Sequence, residues 1–156
     1  MPCITSKMKQ QDKQAILPKQ ITIMFIPIGC MRPQYRDGYD YWVDERGVLQ
    51  IRIAEFENPD FALYWAVHEL LEFWRCTKKG VTLKAIEDFD AIAFAKGIDD
   101  PGSETDAPYH REHMQSILVQ DILCLQDGYD EDDFYAANPI GYDHDWVTKE
   151  QLPITT

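Results

Sequence analysis

The stretch Val67-His68-Glu69-Leu70-Leu71-Glu72 places one imidazole and two carboxylates within five residues. On a helix that turns about 100° per residue, His68 and Glu72 share a face one turn apart, as two ligands of a single ion must. Glu69 is offset from His68 by about 100°. Around them, Leu63, Ala66, Val67, Leu70 and Trp74 form an apolar stripe, while Phe61, Tyr64 and Trp65 flank the other side. A helix apolar nearly all round is a buried one. Ionisable groups on it then need a partner or a metal, because an unpaired buried charge is costly. The plain alternative pairs Glu69 and Glu72 with Arg75 or Lys78 and lets His68 bond a backbone carbonyl.

A second group lies in Pro108-Tyr109-His110-Arg111-Glu112-His113, so three of the chain's four histidines fall in two short motifs. His113 projects with Ile117 and Cys124, away from a solvated face. His110 reads equally well as a surface histidine, and Glu112 is an alternative ligand between the two. The fourth, His144, sits in an acidic stretch and has little weight. Between the two motifs, Glu87 and Asp90 are three residues apart and share a face. They form either a solvated face near a helix N-terminus or further ligands, with Asp90, set among Phe89, Ala91, Ile92 and Phe94, better placed to point inward.

Two metal assignments follow. In the first, zinc takes His68, Glu72 and His113 and keeps an open position, the pattern of a catalytic zinc site. Glu69 is then the general base for the attacking water, and Asp90 orients a ligand histidine from behind. In the second, Glu69-x-x-Glu72 and Glu87-x-x-Asp90 make an all-carboxylate site for magnesium.

These residues need a scaffold, and composition bounds it. The chain has 156 residues, 45% of them hydrophobic, with 27 acidic against 15 basic side chains and a net charge of -12. That length fits one domain with a real core. The charge argues against nucleic acid and anionic membranes as partners, leaving a peptide or a small molecule as substrate. Cys3, Cys30, Cys76 and Cys124 form no Cys-x-x-Cys pair, so they read as reduced structural cysteines. No segment has the pattern of a secretory signal or a membrane span, and the expectation is a cytoplasmic protein.

Residues 1–19 are polar and lysine-rich and read as a loose arm; residues 20–128 read as the metal-binding domain. Residues 129–156 read as an acidic tail packed on the domain through Tyr129, Phe134, Tyr135, Tyr142 and Trp146. Ile21 to Ile28 reads as a strand. Tyr39–Val43 and Leu49–Ala54 alternate around Asp44-Glu45-Arg46-Gly47 and predict a β-hairpin. Asn58-Pro59 opens a helix that Gly80 ends, Thr82 caps a second that stops at Gly97, and Pro108 opens a third that ends at Asp127-Gly128. The expected fold is α+β: a small antiparallel sheet, hairpin plus one strand, followed by three packed helices.

His68-Glu69-Leu70-Leu71-Glu72 resembles the His-Glu-x-x-His helix of the zincin metallopeptidases, with Glu72 where that motif has its second histidine. The resemblance implies a zincin-like fold, His68 as ligand, Glu69 as general base, hydrolysis of a peptide or amide bond, and an edge strand of the hairpin holding an extended peptide; His113 would replace the missing histidine. Residues 38–127 also resemble short proteins encoded by bacteriophages and prophages. The matching residues are Val67 to Glu72, Phe89-Asp90 and Pro108-Tyr109-His110-Arg111-Glu112-His113. This resemblance implies a host-cell cytoplasmic location but no activity, and leaves open a non-catalytic structural or host-interaction role. A further resemblance is to the all-α nucleoside triphosphate pyrophosphohydrolases of the MazG type, whose paired carboxylates match Glu69/Glu72 and Glu87/Asp90. It implies magnesium and a nucleotide substrate.

Overall fold

The computed structural model describes residues 17–31 and 38–137. The greater part of the expected arm (1–16) and of the expected tail (138–156), with Cys3, Tyr142, His144 and Trp146, lies outside the described residues. In chain order come strands β1 (Ile21–Ile26), β2 (Tyr39–Val43) and β3 (Leu49–Ala54), then helices α1 (Pro59–Lys79), α2 (Leu83–Ala95), α3 (His110–Gln126) and α4 (Glu131–Ala136). Single 3-10 turns form at Ile28–Cys30 and Pro101–Ser103. The class is α+β, as expected.

The sheet departs from the all-antiparallel expectation. Its order is β1-β3-β2, with β2 antiparallel to β3 but β1 parallel to it. The hairpin pair was written in its alternation and turn: Asp44 Oδ1 accepts from the backbone N–H of Arg46 and Val48, and Gly47 takes φ 76°. Nothing in Ile21–Ile26 itself encodes a direction. Burial decides it. Leu49, Ile51, Ile53 and Ala54 are fully buried and Gln50 nearly so, so β3 takes the centre. β1 leaves Ile21, Ile23 and Phe25 exposed on one face and suits an edge. Since β1 and β2 flank β3, these two strands lie about 10 Å apart, two strand spacings.

There are four helices among the described residues, not three. The segment after Gly128 forms α4, capped by the Asp130 side chain on the Asp132 N–H, with Glu131, Asp132 and Asp133 in its first turn. Those acids face the positive end of the helix dipole. Phe134 is fully buried against Phe61 and Trp65, with centroids 5.2 and 5.7 Å apart.

α1 is the pillar of the fold. Asn58 accepts from the Asp60 N–H at 3.0 Å, Pro59 opens the first turn, and Gly80 in the left-handed region returns its N–H to Cys76 and Thr77 carbonyls. Its inward face carries Phe61, Tyr64, Trp65, His68, Glu69, Glu72, Phe73 and Cys76. Leu63 and Trp74, expected in a buried stripe, are 52% and 38% exposed. The helix is therefore apolar nearly all round but not buried all round; its buried face is the one bearing the ionisable groups. α3 is similar in kind: Glu112, His113, Ser116, Gln120 and Cys124 are buried, while Met114, Leu118, Ile122 and Leu125 face outward. No helix of the described residues is long and apolar enough to cross a membrane.

Candidate metal centre

The polar faces of α1 and α3 meet. His68 and Glu72 from α1 and His113 from α3 are all buried and offer one ligand atom each, all within 4.8 Å of one another. His68 Nε2 lies 3.3 Å from His113 Nδ1 and 3.4 Å from Glu72 Oε2. Ligand atoms about 2.0–2.1 Å from a tetrahedral zinc would stand about 3.3–3.4 Å apart, so two of the three edges already have that length. The third, His113 Nδ1 to Glu72 Oε2, is 2.7 Å, a hydrogen bond. A metal would replace its proton and widen that edge by about 0.6 Å.

The next layer holds these groups in place. Tyr41 on β2 donates to Glu72 Oε1 at 2.8 Å. Gln120 Oε1 lies 2.9 Å from His68 Nδ1. Asp100, in the loop before Pro101, brings Oδ1 to 3.1 Å from His113 Nε2, a charge contact whose alignment falls short of a hydrogen bond. Gly102 packs flat on the His113 ring: a Cβ there would be 2.4 Å from His113 Cγ. Burial of a second imidazole beside an acid normally costs both their charges, but here each offsets the other. Burial alone would raise Glu72, yet the hydrogen bond from His113 and its positive charge hold it well below its ordinary range. Burial would lower His113, yet Asp100 and Glu72 lift it to about 10. Without a metal, then, His113 is an imidazolium between two carboxylates.

His113 and Glu72 form part of the wall of a cleft, and His68, 1% exposed, sits behind them. Glu69, Glu72, Glu87 and Asp90 all line this cleft, as do Asp40 and Asp100, and among the described residues no lysine or arginine does. It has about 50 Å³ of room for water centres, several times the ~10–15 Å³ that one water needs. Asp90 accepts from Tyr109 Oη at 2.5 Å, and burial, opposed by that bond, raises its carboxyl to about 7.

The sequence-derived residues thus divide. His68, Glu72 and His113 come together, with Glu69, Glu87 and Asp90 around the same cleft. His110 turns away and its Nδ1–H meets the Gly102 carbonyl at 3.0 Å. Glu112 is buried one position before His113 and is not among the three grouped ligands. The carboxylate beside a ligand histidine is Asp100 and not Asp90, which is taken up by Tyr109. Sequence reading missed Asp100, Tyr41, Gly102 and Gln120. Only Gln120 left a trace, standing seven residues after His113 and so on the same face of α3. No family model, curated protein or solved structure matches this chain.

Proposed function

We propose that the protein binds one divalent transition metal, zinc by default, through His68, Glu72 and His113, and that it is a metal-dependent hydrolase acting on a peptide or amide bond. The observation that carries this is the near-tetrahedral spacing of two nitrogens and one carboxylate oxygen, buried and drawn from two helices. Two imidazoles and one carboxylate suit zinc better than magnesium. Bound there, zinc supplies Lewis acidity toward a scissile carbonyl. Glu69, which lines the cleft beside Glu72, is the proposed base for the attacking water. β2 is an edge strand, and its Tyr39, Asp40 and Tyr41 line the same cleft, which supports an extended peptide laid along it.

A second reading has its own support. Glu69, Glu72, Glu87 and Asp90 line one cleft, as an all-carboxylate magnesium site for nucleotide hydrolysis requires. Elemental analysis of wild type beside His68→Ala and His113→Ala separates the two. About one zinc per chain, lost in both variants while their circular dichroism is unchanged, is the expected result. Magnesium-dependent release of pyrophosphate from nucleotides, undiminished in His113→Ala, would establish the second reading instead. Zinc binding without hydrolysis of peptide, amide or nucleotide substrates would leave the non-catalytic phage role.

A further inference from the structure

A chain of hydrogen bonds leaves the centre through His68 and ends on α4. Tyr135 has a single hydroxyl hydrogen, and it goes to Asp121 Oδ1 at 2.7 Å. Gln120 Nε2 lies 2.9 Å from the same hydroxyl oxygen, which has only lone pairs left to offer it. The amide NH₂ is therefore held on Tyr135, and the carbonyl Oε1 is turned toward His68 Nδ1 at 2.9 Å. A carbonyl only accepts, so the hydrogen of His68 belongs on Nδ1. That leaves the Nε2 lone pair facing His113 and Glu72.

Every link is one-way, and burial keeps it so. Gln120 and His68 are 0% and 1% exposed, so water is not at hand to exchange partners with either. Burial and then the bond to Asp121 raise the Tyr135 phenol above its ordinary value, which keeps the hydroxyl hydrogen in place at neutral pH.

We infer that Gln120 and Tyr135 are positioning residues that fix His68 as its Nδ1–H tautomer, so that its Nε2 is prepared as a ligand atom before any metal arrives. The inference rests on the metal reading for its purpose but not for its proton placement. It also gives α4 a role, since the acidic segment beyond Gly128 acts on the centre without touching it. Ligand histidines are commonly oriented in this way by a group behind the ring. Here the orienting group is an amide, whose two ends look alike in shape and must be told apart by Tyr135.

The test uses the full metal-free chain with ¹⁵N-labelled histidine, above neutral pH, and reads the protonated nitrogen of His68 from long-range proton–nitrogen spectra. Zinc affinity is measured in parallel by competition with a chelator. Wild type should show His68 protonated on Nδ1. Gln120→Leu should give a mixture of tautomers and about 10–100-fold weaker zinc binding. Gln120→Glu restores an acceptor and should keep both the tautomer and zinc affinity to within about threefold. Tyr135→Phe frees the amide to turn over, so His68 should again become mixed although its own neighbour is unchanged. Should Gln120→Leu fail to fold, Tyr135→Phe, altered at a half-buried position, carries the same test. Wild-type His68 protonated on Nε2, or an Nδ1–H tautomer unmoved in Gln120→Leu and Tyr135→Phe, overturns the inference. If the tautomer responds as expected but wild type takes no zinc, the hydrogen-bond chain stands and the metal reading falls.

Discussion

At the residue scale the centre turns on His113, because both its ring nitrogens meet carboxylates: Glu72 at 2.7 Å and Asp100 at 3.1 Å. A metal bound there would compete with a proton for Nδ1. Because the metal-free ring holds its proton up to about pH 10, zinc binding near neutrality must release that proton. Apparent zinc affinity should therefore rise about tenfold per pH unit from pH 6.5 to 8.5. Calorimetry in buffers of different ionisation enthalpy should count about one proton released; a flat affinity profile with none released sinks the assignment of His113 as a ligand. The stability of the metal-free protein runs the other way. A raised histidine contributes fully below its ordinary value of 6.5 and loses that contribution as pH rises through about 10. Glu72, being depressed, contributes above its ordinary 4.5 and loses it as pH falls further into the acid range. His68, Glu72 and His113 were legible because helical spacing and residue type are local facts. Tyr41 and Asp100 were not, since each reaches the centre from another element with no spacing that marks it, and Gln120 showed only as a residue on the His113 face of α3.

At the scale of elements, the short turn Pro101–Ser103 is a wall of the site and not a mere connection. Gly102 is buried, and any side chain there would run into the imidazole of His113. Ring and backbone both being held, Gly102→Ala should cost about 1–3 kcal/mol of stability and displace His113 from Glu72. Chemical denaturation measures the first, and zinc competition the second. An alanine variant with wild-type stability and affinity would show that the loop yields freely. In the sequence Pro101-Gly102 merely falls between the second helix and the third, since what a glycine permits across space is invisible in its own segment. The same limit explains the sheet. The β2–β3 hairpin was readable from alternation and an Asp-Glu-Arg-Gly turn, whereas the parallel docking of β1 beside β3 is a tertiary outcome that no local pattern encodes. It explains α4 as well: its acids read as part of a packed tail with no helix in it, but placed in a first helical turn behind the Asp130 cap they favour a helix, and Phe134 anchors it.

On the scale of the whole molecule, the net charge of -12 and the position of the cleft belong together. Six carboxylates line the cleft with no lysine or arginine among the lining residues, so folding gathers like charges that the unfolded chain keeps apart. His113 offsets part of this in the metal-free protein. A divalent ion held by His68, Glu72 and His113 would offset more, and with ligands on both α1 and α3 it would also tie together two helices that otherwise meet through polar faces. Zinc at about 100 times its dissociation constant should then stabilise the fold by about 2.7 kcal/mol. For a chain of this size that is about 5–10 °C in Tm, reversed by a chelator. Sodium chloride offers the control. By screening the cleft it should raise Tm in wild type and His113→Ala alike, whereas the zinc increment should vanish in His113→Ala. An equal zinc increment in both would mean that the ion merely collects in the acidic field, and that the near-tetrahedral grouping of His68, Glu72 and His113 is a salt bridge and nothing more.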